Sequence, residues 1–385
     1  MLSLSILVAP SGLKESVEPL EAVKYISAGI RKVFPKATIY GIPIVDGGEG
    51  TTKTLVKLTK GTLVEATVTG PVDEQVNSYI GILGGKGPKT AVIEIALAAG
   101  LRLVPPNKRN PQLTTTYGVG ELIKLALDNE VEKILLGCGD SGTNDGGIGM
   151  AQALGIILKD KNGKKLGHGG IELSKLNSID MSKLDPRLKK VQIDVALNAN
   201  NILTGPNGVA RVYGPQKGAN LNQVEEMAQA FDNFAKVIQK DLDIDVALIK
   251  GGGASGGLGA GLRAFLGANL YPRFDLVLQY LGLEDVLSKV DLIVTAEGSI
   301  DYQTPKGKVP ALLANIAKKY DIPVIVLAGI IGEGARDNYP VGISAFESIM
   351  DGPTSLENAI KNGSSLLEAA SERLMRILKV GIQLK

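Results

Sequence analysis

The sequence predicts an α/β protein built on largely parallel sheets and divided into two domains. Three observations carry that reading. Short runs of β-branched residues and leucine alternate with longer helical stripes. Polar or glycine-rich clusters directly follow the apolar runs, as they do at the carboxyl ends of parallel strands. The chain has 385 residues, more than one core usually holds at roughly 100–200 residues per domain.

Strands are expected at 6–9, 38–45, 133–136, 191–197, 292–295 and 323–328. Helices follow from apolar stripes at helical spacing: Val23, Ile26, Ile30 and Val33; Val119, Leu122, Ile123, Ala126 and Leu127; Val224, Met227, Ala228, Phe231, Ala235 and Ile238; and Leu366, Ala370, Leu374 and Ile377. These stripes are core and carry no chemistry. Between them, 61–70 and 90–99 are strand-like without a long helix in between, and 159–184 is polar and irregular. That change predicts a second domain with a mixed sheet, inserted into the first. The expected division is 1–62 with 285–385 for the discontinuous domain and 63–284 for the insertion.

Composition excludes several functions. The chain is 44% hydrophobic and 21% charged, the balance of a folded globular protein. Lys and Arg number 42 against 40 Asp and Glu, with no basic run, so the electrostatic footprint of a nucleic-acid binder is missing. Tryptophan is absent and aromatics are 4%, unlike a stacking platform for single strands. With one cysteine, Cys138, and one histidine, His168, neither a disulfide framework nor a multi-histidine metal centre can form within the chain. No apolar run approaches the ~20 residues of a membrane-spanning helix. The opening residues 1–8 read as a first strand rather than a signal peptide, so a cytoplasmic protein without a membrane partner is expected. Chemistry must therefore run on Asp, Glu, Lys, hydroxyls, carboxamides and backbone amides; 48 glycines emphasise the last of these.

Five clusters lie at predicted strand ends, and a shared site is expected from them. They are Ser11, Gly12 and Lys14; Asp46 to Thr51, with Gly47, Gly48 and Glu49; Gly137 to Gly147, with Asp140, Ser141, Asn144 and Asp145; Asn198, Asn200 and Asn201; and Glu297 with Asp301. Asp46 and Glu49 flank glycines at a helix start, where carboxylates either cap the helix or hold Mg²⁺. Lys14 is suited to neutralising a phosphoryl group or a carboxylate. The run Gly251 to Gly259, containing Ser255, Gly256 and Gly257, precedes a helix and can offer amides to phosphates or simply pack tightly. It lacks the Gly-Lys-Ser/Thr ending of a P-loop. His168 in a glycine-rich loop and Cys138 between two glycines read as structural.

At these clusters the sequence resembles the bacterial glycerate kinase family, over 6 to about 346. The resemblance is carried by Val45-Asp46-Gly47-Gly48-Glu49-Gly50-Thr51; by Arg109-Asn110-Pro111 with Thr114-Thr115-Thr116-Tyr117-Gly118; and by Gly139 to Gly147. It continues through Leu203-Thr204-Gly205-Pro206-Asn207-Gly208, Tyr213-Gly214-Pro215-Gln216-Lys217-Gly218-Ala219, Ala254-Ser255-Gly256-Gly257-Leu258-Gly259 and Glu297-Gly298-Ser299-Ile300-Asp301. It implies a flavodoxin-like doubly wound domain, an inserted α/β domain of restriction-enzyme-like fold, and a site in the cleft between them. It also implies ATP-dependent phosphorylation of D-glycerate with Mg²⁺. The chain departs from the family pattern at Ser11, Asn198 and Asn200, where the family carries aspartates, and at Asp140, where it carries glycine. Asparagine keeps the shape of aspartate without its charge.

On this reading the partners are a nucleotide and a small hydroxy acid, with a homodimer left open. Lys14, Asp145, Asn198 and Asn200 are the catalytic candidates. Ser11, Arg109, Thr115 and Asn198 would hold the acid. Gly47, Gly48, Ser141, Asn144, Ser255, Gly256, Gly257 and Lys217 would hold ATP, and Asp46, Glu49 and Glu297 would hold Mg²⁺. Two other readings remain open from the residues: a kinase-fold relative acting on another hydroxy acid, and a ligand-binding protein without turnover.

Overall fold

The computed structural model describes residues 4–13, 15–45 and 47–384, so Lys14 and Asp46 lie outside the described residues. Its strands, in chain order, are β1 (Ser5–Val8), β2 (Thr38–Gly41), β3 (Thr62–Thr69), β4 (Gln75–Ile82), β5 (Thr90–Glu94), β6 (Lys133–Gly137), β7 (Ile157–Lys159), β8 (Ser178–Asp180), β9 (Gln192–Leu197), β10 (Asn269–Pro272), β11 (Leu292–Ile300), β12 (Val324–Ile331) and β13 (Ala345–Ser348). The chain divides into two compact units, 1–45 with 281–385 and 46–280.

In the first unit the order β13-β12-β11-β1-β2 is parallel throughout. Counted within the unit it reads 2-1-3-4-5, the flavodoxin-like order with its switch point between β1 and β11. Ile6 and Val8 of β1, with Leu292 and Val294 of β11, face a core shared with the helices Pro19–Val33 and Gly363–Gln383. Those helices touch so closely that a Cβ on Gly29 would lie 2.4 Å from the Glu368 carbonyl oxygen. The alternate residues Leu7, Ile293 and Val326, also fully buried, point to the opposite face by the pleat of the strands. The helix Val309–Ala317 packs on β11 and β12. β2 is shorter than expected because Pro10, on the β1 side, has no N–H to return to it; the extended chain still bonds β1 through Ile42 N and Ile44 N, 2.9 Å from the Val8 and Pro10 carbonyls.

The second unit holds a six-stranded mixed sheet, β10-β9-β6-β5-β4-β3. β5, β6, β9 and β10 are parallel, and β4 and β3 are antiparallel. One large core joins this sheet to the helices Tyr117–Asp128, Leu221–Leu242 and Ala254–Leu266. The helix Thr51–Thr59 packs on β3, β4 and β5. It therefore belongs to this unit, which begins upstream of the expected 62/63 division. The polar stretch after β7 folds as a two-stranded ribbon, β7-β8, with short helical turns. Among the described residues no helix is long and apolar enough to cross a membrane.

Candidate active site

Within the second unit, the carboxyl ends of β5, β6, β9 and β10 open on a cavity of about 530 Å³, in the size range of small-molecule sites. The sheet register explains its lining. Glu94, Gly137 and Ala196 stand side by side, as do Leu197 and Pro272, so the chain leaves the sheet at one level. Ala96, Cys138, Asn198 and Arg273 follow immediately and line the cavity. Glu49, Ser141, Lys217, Ser255 and Gly256 line it from the loops.

Lys217 is a buried ionisable side chain of the cavity wall. It ends a 3₁₀ turn, Pro215–Lys217, and only 3% of it is exposed. Its ammonium donates to Ser141 Oγ at 3.0 Å, the Thr143 carbonyl at 2.7 Å and Asn144 Oδ1 at 3.0 Å. Three donors thus meet three acceptors. Burial nevertheless pulls its pKa down to about 7, against the attraction of Asp145. The fixing glycine is Gly218, at φ +100, which lies against the Arg109 carbonyl where a Cβ would be 2.4 Å away.

Asp145 stands behind this lysine rather than in the cavity. Its carboxylate accepts from Thr116 N at 2.8 Å, Thr116 Oγ1 at 2.9 Å, Gly147 N at 3.0 Å and Gly149 N at 3.2 Å. The last two open the helix Ile148–Ala153. Burial raises its carboxyl pKa against those donors. Thr115 is equally enclosed, its Oγ1 accepting from Tyr117 N at 3.2 Å.

The glycine-rich run forms an unusual helix start. Ser255, Gly256 and Gly257 are all left-handed, at φ 51, 72 and 83. A Cβ on Gly256 would fall 1.9 Å from the Thr143 carbonyl oxygen, so the run lies backbone to backbone on the loop that holds Lys217. Gly257 packs instead on Phe231 and Leu203. The Cys138 thiol pairs with the Ser255 side chain, and burial pushes its pKa up to about 12, which keeps it protonated.

At the mouth, Glu49 pairs with Arg102. Gly47 N donates to Thr51 Oγ1 at 3.1 Å, and the Gly47 carbonyl presses on Gly137, where a Cβ would be 2.2 Å away. Gly48 carbonyl accepts from Thr51 N at 3.3 Å. The start of the helix Thr51–Thr59 has no side-chain cap of its own. Buried Glu94 supplies one from β5, accepting from Gly50 N and Thr52 N. Asn198 Oδ1 accepts from Asn200 N at 3.1 Å, closing a turn in which Asn200 is exposed and off the cavity wall. Arg109 is exposed and likewise does not line the cavity.

Of the expected residues, then, Glu49, Ser141, Asn198, Lys217, Ser255 and Gly256 come together, with Asn144 and Asp145 directly behind. Ser11 and Glu297 belong to the first unit, at its β1/β11 switch point, where the Ser11 hydroxyl is 3.0 Å from Glu297 Oε2. Asp301 is nearby on the same chain end, clasped by Lys308 at 3.0 Å. Sequence reasoning missed Glu94, Arg102, Tyr213 and Arg273. Tyr213 carried a signal, since it opens the quoted stretch that ends at Ala219; its hydroxyl donates to Asn201 Oδ1 at 2.9 Å. The other three had none.

Among the described residues no group of three or more His, Cys, Asp or Glu side chains gathers as a metal site. The carboxylates lining the cavity are Glu49 and Asp140. One or two carboxylates complemented by phosphate oxygens and water is the donor set Mg²⁺ favours, so these residues fit the ion when it arrives with a nucleotide.

Comparisons with known proteins agree across the chain. The sequence model described as the "Glycerate kinase family" matches residues 6–379. A protein named "Glycerate kinase" from Halalkalibacterium halodurans is 45% identical over 370 residues, 96% of this chain and 97% of its own. "Glycerate 2-kinase" of Escherichia coli (strain K12) is 43% identical over 380 residues, 99% of each. The crystal structure of a candidate glycerate kinase 2 from Salmonella typhimurium LT2 superposes with a TM-score of 0.88 at 43% identity, covering 99% of this chain and 100% of that one.

Proposed function

The chain belongs to the glycerate kinase family, and from that premise we propose that it transfers the γ-phosphoryl group of ATP to a hydroxyl of D-glycerate, releasing ADP and phosphoglycerate. The observation that carries the reading is Lys217, a buried cation on three acceptors in the wall of a cavity at parallel strand ends. Phosphoryl transfer through a loose transition state depends on positioning and charge stabilisation more than on bond-making by the protein. A lysine fixed before substrate arrives supplies that stabilisation without reorganisation.

The remaining residues divide the work. Ser255 and Gly256 offer backbone N–H groups in the left-handed turn that leads into the helical residues 258–266, an arrangement of amides that favours phosphate oxygens. Glu49 and Asp140 are the carboxylates that would hold Mg²⁺, which would neutralise phosphate charge. Asn198, neutral where the family carries aspartate, gives a hydroxy acid a hydrogen bond without repelling its carboxylate. Asp145 positions Asn144 and Lys217 and touches no substrate.

The test is purified protein with ATP, Mg²⁺ and D-glycerate, following ADP by a coupled assay and the product by phosphorus NMR. Equal amounts of ADP and phosphoglycerate are expected. Turnover only with a different hydroxy acid would reassign the substrate, and no turnover with any acid would remove the kinase reading.

A further inference from the structure

A second cavity of about 510 Å³ lies in the 46–280 unit, lined by residues none of which lines the first cavity. Its floor is apolar, with Leu158 of β7 and Leu166 both buried. One wall is aromatic: the Tyr117 and His168 rings are 4.9 Å apart at an interplanar angle of 41°. His168 is held there by Asp73, whose Oδ1 is 2.7 Å from Nδ1. The rim carries Lys165 and Lys183, both exposed and neither in an ion pair among the described residues.

The surrounding segment is basic where the chain as a whole is nearly neutral. Between Lys159 and Lys190 stand nine Lys and Arg against four Asp and Glu, whereas the full chain has 42 against 40. Acidic residues separate the lysines, so no basic run is visible in the sequence. The ribbon β7-β8 brings 157–159 against 178–180, where Lys159 is matched by Asp180 at 3.4 Å, and Lys165 and Lys183 stand outside that pair. An apolar floor, a wall of two tilted rings that offers a face to one planar group, and two ammonium groups at the rim match a ligand with a planar ring and a phosphate. A concave pocket of this volume suits a small molecule rather than a polymer laid across a surface.

We propose that this cavity binds a nucleoside monophosphate, its base against Tyr117 and His168 and its phosphate between Lys165 and Lys183. The site is separate from the catalytic cavity, and the proposal stands whatever acid the enzyme phosphorylates. The experiment is calorimetric titration of the full-length protein with AMP, and separately with inorganic phosphate. The expected result is AMP binding that weakens at least tenfold in the Lys165→Glu/Lys183→Glu double variant, persists in Lys217→Met, and exceeds phosphate binding at least tenfold. Both rim lysines are exposed, so the double variant folds and keeps its kinase activity, which serves as the check on its integrity. No AMP binding, or binding that survives the rim substitutions, overturns the site. Binding lost only in Lys217→Met assigns AMP to the catalytic cavity and also overturns it. Equal affinity for AMP and phosphate overturns the role of the aromatic wall and with it the nucleotide.

Discussion

Lys217 Nζ stands 3.0 Å from Asn144 Oδ1, and the next residue, Asp145, is locked by four hydrogen bonds from Thr116, Gly147 and Gly149. A buried cation is thus tied to the start of a helix through a two-residue link. The carboxylate holds the loop, the loop holds the lysine, and the lysine faces the cavity.

Replacing Lys217 by Met should therefore disable the enzyme while leaving a folded chain. Loss of one preorganised electrostatic group costs ~10²–10³ in kcat, and that is the expected fall for Lys217→Met. Lys217→Arg should not rescue it, because a planar guanidinium cannot direct three donors into the compact set of Ser141, Thr143 and Asn144 acceptors. Steady-state kinetics with a circular dichroism control distinguishes this from unfolding. Retention of more than a tenth of wild-type kcat would remove Lys217 from the mechanism.

The same lysine gives a signature in stability. Its pKa falls from 10.5 to about 7 in the folded chain because burial disfavours the charge. Between those values the unfolded chain binds more protons than the folded one, so stability rises with pH, by up to ~1.4 kcal/mol per unit. Below about 7 the penalty is fully present, and above 10.5 it is gone. Denaturant unfolding at pH 6.5, 8 and 9.5 should show wild type gaining on Lys217→Met at each step. Parallel curves for the two proteins would mean that the ammonium keeps its ordinary pKa.

How much of this was legible in the sequence depends on the range of the interaction. Apolar runs such as Ile134 to Leu136 and Ile293 to Val294 declare buried parallel strands, and the polar residues after them mark the strand ends. β4 stayed hidden because Gln75 to Ser78 mixes polar and apolar residues on an antiparallel strand between β5 and β3, with no long apolar run. Lys217 was visible as part of a motif, but its burial was not, because its three acceptors lie more than seventy positions away. Glu94 capping a helix 42 residues upstream, and Arg102 pairing with Glu49 across 53, are purely spatial facts. Asp145 carried the opposite lesson. An aspartate among glycines reads as a catalytic carboxylate, whereas here folding surrounds it with donors.

Gly256 should tolerate no side chain. Its φ of +72 disfavours any L residue, and a Cβ would fall 1.9 Å from the Thr143 carbonyl that also binds Lys217. Gly256→Ala is expected to cost more than ~3 kcal/mol by overpacking and backbone strain. Gly267→Ala is the comparison: φ is +64 there, but nothing lies within 4 Å of the added Cβ, so the cost should stay near ~1 kcal/mol. Equal Tm losses for the two variants would show that the Gly256 contact yields easily.

Glu94→Ala should unfasten the helix Thr51–Thr59. The substitution strips the acceptor from Gly50 N and Thr52 N, the second of which is buried, and Gly50 has no side chain to replace it. An orphaned buried donor costs ~1–3 kcal/mol, and losing Thr52 N together with the half-buried Gly50 N puts the expected loss in that range. Hydrogen exchange should report it locally, with amides of 51–54 losing protection before those of β5. A variant as stable as wild type would mean that water replaces the carboxylate.

Ser11→Asp tests the first unit. Ser11 Oγ lies 3.0 Å from Glu297 Oε2 at the β1/β11 switch point, so the new carboxylate would stand against an existing one. Two such groups cannot both ionise cheaply, and one pKa must rise. The folded chain then binds more protons than the unfolded chain above the ordinary carboxylate range, and stability falls as pH rises through that window. Relative to wild type, Ser11→Asp should therefore lose stability between pH 5 and pH 8, while Ser11→Asn, uncharged, should not. Mg²⁺ decides the chemistry of the pair, because a hard cation binds adjacent carboxylates and removes their repulsion. Millimolar MgCl₂ should restore most of the Tm lost by Ser11→Asp at pH 8 and leave wild type unmoved. A loss that ignores both pH and Mg²⁺ would be steric, and would show that the Ser11 hydroxyl marks a packing position rather than a ligand-facing one.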